Sequence, residues 1–246
     1  MTKTLVLIPS RMAATRLPGK PLLKINNLSI ISHVFKRAEE ANIGEVIVAT
    51  EDKEILEDVI KNKGRGILTR SDHKTGTDRI FEAYKKLNIK DVDYILNLQG
   101  DEPNIDKEDI VNLNNFMIDS DSEIGTLGAS ITDNKMLENK NVVKVITENK
   151  LEKDNFPTAL NFSRQNFSKN TKNVYHHIGI YSYKVSILKK FISLDQTKNE
   201  IENKLEQLRA LDNKLKINVA LAKFSPIGID TEEDYLAIKK IMEYKL

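Results

Sequence analysis

LVLIPSRMAATRLPGKPL, residues 5–22, decides how this chain is read. Leu5 to Pro9 form an unbroken apolar run, as expected of a strand buried on both faces of a parallel sheet. A loop of small and basic residues follows directly. In open α/β sheets, loops at the carboxyl ends of the strands form the ligand crevice. This loop carries Arg11, Arg16 and Lys20, and Gly19 lets the backbone approach a ligand closely. Three cations and free N–H groups suit a triphosphate of about four negative charges. A solvated basic loop between strand and helix has the same composition. Neither a Walker loop nor a GxGxxG turn is present.

Downstream, Ile30, Ile31, Val34, Phe35 and Ala38 recur at helical spacing, and Gly44 marks a break before a strand from Glu45 to Thr50. Ile55, Leu56, Val59 and Ile60 indicate a second helix and residues 76–87 a third. A strand from Tyr94 to Gln99 stops abruptly at Gly100-Asp101-Glu102-Pro103. Strands alternating with helices of this length predict a three-layer, Rossmann-like α/β fold with a mainly parallel central sheet. The second half is less regular. Strands are expected over 141–147, 174–183 and 217–222, around a polar stretch at 148–173. Leu205, Leu208 and Leu211 mark one face of a helix over 205–211. A last helix runs from Thr231 to Tyr244, with Thr231 and Asp234 imitating a capping box. With no repeat and no linker, a single domain over residues 1–246 is predicted.

Composition narrows the function classes. The 38 basic and 36 acidic residues leave a net charge of +2, without the basic excess of a nucleic-acid or membrane-surface protein. The absence of cysteine excludes disulfides, thiol nucleophiles and cysteine–zinc sites. His33, His73, His176 and His177 are too scattered to suggest zinc. The first apolar run is too short for a signal peptide or a bilayer span, so the cytoplasm is the expected compartment.

Several short stretches hold candidate chemistry, each with a plainer reading beside it. TRSDHKTGTDR (69–79) precedes a helix whose free N–H groups suit an anion, or is an ordinary helix start capped by Thr75 or Thr77. LNLQGDEP (96–103) exposes acids at a strand tip, where magnesium finds carboxylate ligands or where a turn simply uses Gly and Asp. In GIDTEED (228–234), Asp230 precedes a helix, a normal place for a capping acid. Arg164 in NFSR (161–164) suits a sugar carboxylate, or is merely solvated. HHIGIYSY (176–183) alternates like a strand, which would put His177, Gly179 and Tyr181 on one face. In LEQLRAL (205–211), Glu206 and Arg209 have the spacing of a helical salt bridge.

Together these blocks resemble one family. IPSRMAATRLPGKPL (8–22) is similar to the IPAR-x-x-S-T-R-L-P-G-K-P-L of the 3-deoxy-manno-octulosonate (Kdo) cytidylyltransferases, with Ser10 and Ala14 as small-for-small changes. Sialic-acid cytidylyltransferases carry a different loop, rich in glycine and serine. TRSDHKTGTDR resembles T-R-x-D-H-x-S-G-T-E-R, with Asp78 for glutamate, and GIDTEED resembles G-V-D-T-P-E-D, with Glu232 for proline. F-S-R, H-x-G-I-Y and E-Q-L-R also match, in family order, from Leu5 to Asp234.

The resemblance implies transfer of CMP from CTP to the anomeric hydroxyl of Kdo, for lipopolysaccharide biosynthesis. It assigns Arg11, Arg16, Lys20, Thr69, Ser71, His73, Gly76 and Arg79 to the nucleotide. Gln99, Arg164, His177, Tyr181, Glu206 and Gln207 go to the sugar acid. Asp101 and Asp230 become ligands of Mg2+, with Arg11 and Lys20 beside them as catalytic groups. It further implies a homodimer, with about 148–183 as a dimerisation and sugar-pocket extension. Asn203, where many members have glutamate, and QNFSKN after Arg164 depart from the pattern and leave 8-amino-Kdo or a nonulosonic acid as alternative sugars. Rivals from further away are a sugar-1-phosphate pyrophosphorylase and a non-catalytic nucleotide-binding sensor.

Overall fold

In the computed structural model residues 2–13 and 16–243 are described. Ala14, one of the family departures, and Tyr244, the expected end of the last helix, lie outside them. The chain begins with β1 (Thr4–Ser10), the short pair β2 (Lys24–Ile25) and β3 (Leu28–Ser29), α1 (Ile30–Ala41) and β4 (Gly44–Thr50). Next come α2 (Lys53–Lys61), β5 (Gly66–Leu68), α3 (Gly76–Leu87), β6 (Tyr94–Asn97) and α4 (Lys107–Ser120). The second half holds β7 (Ile124–Ala129), α5 (Asn134–Glu138), β8 (Lys144–Thr147), β9 (Ala159–Ser163) and β10 (Val174–Lys184). It continues with α6 (Val185–Ile192), α7 (Lys198–Asn203), α8 (Leu208–Asp212) and β11 (Ile217–Leu221), and α9 (Glu232–Glu243) closes the chain. Where one domain is expected, backbone contacts gather the residues into two compact units: those up to Val111 with those from Pro226 onward, and Asn112–Ser225.

In the first unit β1 lies between β4 and β6, and β5 flanks β4, all parallel. All seven residues of β1 are buried, as its unbroken apolar run requires. The register pairs Ser10 with Thr50 and Leu7 with Asn97. The carboxyl ends of β1, β4 and β6 therefore emerge side by side. The helices follow from periodicity and caps. Ile30, Ile31, Val34, Phe35, Ala38 and Ala41 bury one face of α1. The Ser29 hydroxyl caps its start, and Asn42 in the left-handed region ends it. Thr75 and Asp78 form a capping box on α3.

A small cluster of Ile25, Ile30, Ile229 and Ile238, with Leu17, Leu23, Tyr235 and Met242 against it, ties α9 to the β2–β3 hairpin and to the first loop. Burial of a side chain such as Ile229 stabilises this attachment by about 1.5–3 kcal/mol. Its neighbour Asp230 is positioned as a consequence.

The second unit is mixed. β11 runs parallel to β7, and β7 pairs antiparallel with β10. β8 lies antiparallel between β10 and β9. The uniform alternation expected along β10 is interrupted by a bulge between Ile178 and Tyr181, where the register against β7 shifts. The strand expected over 141–147 narrows to β8, and the polar stretch 148–173 contains β9. The expected helix over 205–211 begins only at Leu208, so Glu206 and Gln207 lie on the turn before it. Among the described residues no helix is long and apolar enough to cross a membrane.

Candidate active site

The loops leaving β1 and β6 and the segment before α9 surround a cavity of about 330 Å³ in the first unit. Arg11, Arg16, Lys20, His73, Gly76, Arg79, Gln99, Asp101 and Asp230 all line it. The turn into Lys20 is made by Gly19, at φ 70° in the left-handed region, and Pro21 is buried behind it. Gly100 carries the chain close over β1. A Cβ there would sit 2.9 Å from the Pro9 carbonyl oxygen, so a larger residue would push Asp101 away.

Two acids separated by 129 residues of sequence converge on one ammonium. Lys20 Nζ donates to Asp101 Oδ2 at 2.7 Å and lies 3.5 Å from Asp230 Oδ1. Arg16 Nη2 is 2.9 Å from Asp230 Oδ2. The Ile229 N–H donates to the Asp101 carbonyl at 3.0 Å and locks the two acid-bearing segments together. The plain capping role for Asp230 is already filled. Thr231 and Asp234 make the reciprocal capping bonds of α9, at 3.2 Å from Asp234 N to Thr231 Oγ1 and 2.8 Å from Thr231 N to Asp234 Oδ2. The Asp230 carboxylate is thereby left to the two cations.

The remaining nucleotide candidates divide. His73 faces the cavity, and its Nε2 is held by Glu82. Burial alone would raise the Glu82 carboxyl, but hydrogen bonds from Lys86, His73 and Arg70 outweigh it and hold it at about 2. Arg79 lines the cavity too, yet its guanidinium binds Glu51, the Thr69 hydroxyl at 2.7 Å and the Arg70 carbonyl. Thr69 and Ser71 do not line the cavity: Thr69 is buried beneath Arg79, and Ser71 is exposed. Glu51 and Glu82 were absent from the sequence reading, although Glu82, placed between Arg79 and Lys86 at helical spacing, offered a signal.

In the second unit His177 and Tyr181 come together, their rings 5.4 Å apart, with Phe162 edge-on to His177 at 5.0 Å. The β10 bulge brings three groups to the Thr126 hydroxyl: the Ile180 carbonyl at 2.7 Å, the Ile178 carbonyl at 3.3 Å and His177 Nε2 at 3.1 Å. Burial, then the charges of His176 and Arg164, lower the His177 pKa to about 3, so the ring is neutral. Burial raises the Tyr181 hydroxyl well above its usual value, with Tyr183 and the Glu206 carboxylate adding to it. Arg164 donates to the carbonyls of Asn141 at 3.1 Å and Lys140 at 3.4 Å.

The expected Glu206–Arg209 pair is long, at 3.8 Å. Arg209 instead makes a two-pronged pair with buried Glu200, at 2.8 and 2.6 Å, and stacks 4.7 Å from the Phe191 ring. Lys144 was missed as well. It is fully buried in β8, with Nζ on the Asn139 carbonyl at 2.7 Å, and burial followed by Arg164 lowers its pKa. A lone lysine inside the apolar run VVKVI was the available signal.

A family model described as cytidylyltransferase matches residues 5–217. A 3-deoxy-manno-octulosonate cytidylyltransferase of Rhodopseudomonas palustris is 44% identical over 99% of both chains. One from Thermodesulfovibrio yellowstonii is 43% identical, covering 97% of this chain and 98% of its own. The structure of a CMP:2-keto-3-deoxy-manno-octonic acid synthetase complexed with CTP superposes with a TM-score of 0.90 at 32% identity, covering 100% of each chain.

Proposed function

We propose that this chain, which belongs to the 3-deoxy-manno-octulosonate (Kdo) cytidylyltransferase family, transfers CMP from CTP to the anomeric hydroxyl of Kdo and releases pyrophosphate. The observation that carries the reading is the meeting of Asp101 and Asp230 at Lys20, in a cavity also lined by Arg11 and Arg16. Attack of the sugar hydroxyl on the α-phosphorus needs positioning and charge neutralisation more than covalent help from side chains. Arg11, Arg16 and Lys20 neutralise the triphosphate and the pyrophosphate that leaves. His73, kept in place by Glu82, and Gly76 at the start of α3 line the same cavity and would contact the nucleotide. Gln99 is the sugar contact on this cavity. The second unit offers Arg164 for the sugar carboxylate, with His177, Tyr181, Glu206 and Gln207 as further sugar contacts.

The paired acids fit magnesium, because a position that draws one ammonium between two carboxylates attracts a cation. Magnesium commonly takes one or two carboxylates and fills its other positions with phosphate oxygens and water. When bound, magnesium supplies charge neutralisation at the α-phosphate and polarises the hydroxyl nucleophile. Asp101 and Asp230 would hold it.

The same reading makes the protein a cytoplasmic homodimer supplying activated Kdo for lipopolysaccharide. Support for pairing comes from β9, which among the described residues is laddered to β8, has one further bridge just before it, from Thr158 to Asn218, and leaves Leu160 59% exposed within the 148–183 segment. A pyrophosphate-release screen across the four nucleoside triphosphates and a panel of sugar acids tests the activity. CTP with Kdo is expected to give the highest kcat/KM. Release with no sugar acid, or only with a sugar 1-phosphate, would refute it, and preference for 8-amino-Kdo would reassign the sugar.

A further inference from the structure

Asp52 occupies the position immediately before α2, where an acid ordinarily caps the first turn of its own helix. Here it makes no side-chain cap. Its Oδ2 instead accepts from the Met12 backbone N–H at 2.7 Å, across 40 residues of sequence. The contact is possible because Ser10 and Thr50 end their strands in register, which sends the two loops out together. Asp52 is itself steadied by its N–H on the Thr50 hydroxyl at 3.1 Å, and Thr50 is fully buried. Met12 is held at its other end too, where its carbonyl accepts from the Gly19 N–H at 3.4 Å. One residue thus closes the loop that carries Arg11, Arg16 and Lys20, and the Asp52 carboxylate anchors that residue to the scaffold.

A negative charge beside a loop that receives a triphosphate opposes binding by simple repulsion. Its presence needs a compensating role, and a carboxylate makes a stronger bond to a backbone N–H than a neutral acceptor does. Asp52 does not line the cavity, whereas Arg11, the residue before Met12, does. We propose that Asp52 is a positioning residue for nucleotide binding: by clamping the Met12 backbone it preorganises Arg11 and the loop toward the phosphates of CTP. The proposal rests on the reading that residues 10–20 receive the triphosphate.

Asp52→Ser separates the two uses of this position. Serine is a good cap for α2, but its side chain is shorter and lacks the second oxygen that reaches Met12. The melting temperature is therefore expected to stay level or rise. The Kd for CTP, measured by calorimetry, rises about tenfold, as loss of one charge-assisted hydrogen bond predicts. The KM for the sugar acid stays within twofold, and Asp52→Asn, which keeps an acceptor oxygen, recovers part of the CTP affinity. Replacing the Met12 amide by an ester removes the same bond from the donor side and is expected to reproduce the tenfold loss, which decides the matter if Asp52→Ser does not fold. Wild-type CTP affinity in a folded Asp52→Ser protein, or in the ester, overturns the proposal. Absence of CTP binding by the unaltered protein would instead overturn the reading of the loop.

Discussion

Acidification is expected to destabilise this protein steeply through two adjacent histidines on β10. Burial, followed by the charges of His176 and Arg164, lowers His177 to about 3. Burial, followed by the Lys144 charge, lowers His176 to about 4. An unfolded chain takes up a proton on each imidazole near pH 6.5, while the folded chain refuses both until far lower pH. The folded state therefore binds fewer protons across this window, and stability present above pH 6.5 is lost as pH falls. Each histidine costs up to about 1.4 kcal/mol per pH unit, or about 2.5 kcal/mol between pH 7 and pH 4.5. Against a domain stability of roughly 5–15 kcal/mol, the pair is a large fraction. Urea denaturation followed by circular dichroism at pH 7.5, 6.0, 5.0 and 4.5 measures it, with His177→Gln as the comparison. The variant is expected to lose stability less steeply, by up to about 1.4 kcal/mol per unit. Parallel curves for the two proteins would refute the burial argument. The same neutrality means that the KM for the sugar acid should show no inflection near pH 6.5 arising from His177.

Other expectations are shorter. Asp101→Asn removes the acid 2.7 Å from Lys20 and should lower pyrophosphate release from CTP and Kdo by about 10²-fold or more with an unchanged circular dichroism spectrum; near-normal turnover would remove Asp101 from the cation site. Arg164→Ala should raise the sugar KM by about 10–100-fold while the CTP KM moves less than twofold, and an unchanged sugar KM would take Arg164 out of the pocket. Leu160→Glu places a charge on the open side of β9 and should shift a dimer toward monomer in light scattering; an unchanged mass would move the pairing surface elsewhere. Glu200→Gln breaks the buried pair with Arg209 and should cost about 3–5 kcal/mol in urea denaturation, whereas a loss under 1 kcal/mol would show the pair to be replaceable.

Much of the first unit was legible because its signals are local. The apolar run of β1, the spacing of α1 and the Thr75 and Thr231 capping boxes each depend on residues a few positions apart. The second unit hid more. β7 contains two glycines and β9 only five residues, so neither shows strong strand propensity, and packing alone selects them. The helix expected over 205–211 begins only at Leu208, and Arg209 takes its short bonds from Glu200 rather than Glu206, a choice between two acids that spacing does not decide.

Residue identity by itself determined the parallel α/β plan of the first unit, the basic first loop and the acids at Asp101 and Asp230, since each is written in a contiguous motif. The family resemblance already implied that Asp101, Asp230 and Lys20 meet; tertiary structure alone decided that Asp52 leaves its helix to hold Met12 and that Arg79 is claimed by Glu51. The physical reason is strand register. Aligning the carboxyl ends of β1, β4 and β6 brings their loops within hydrogen-bond reach, and which donor finds which acceptor depends on distances that no stretch of sequence encodes.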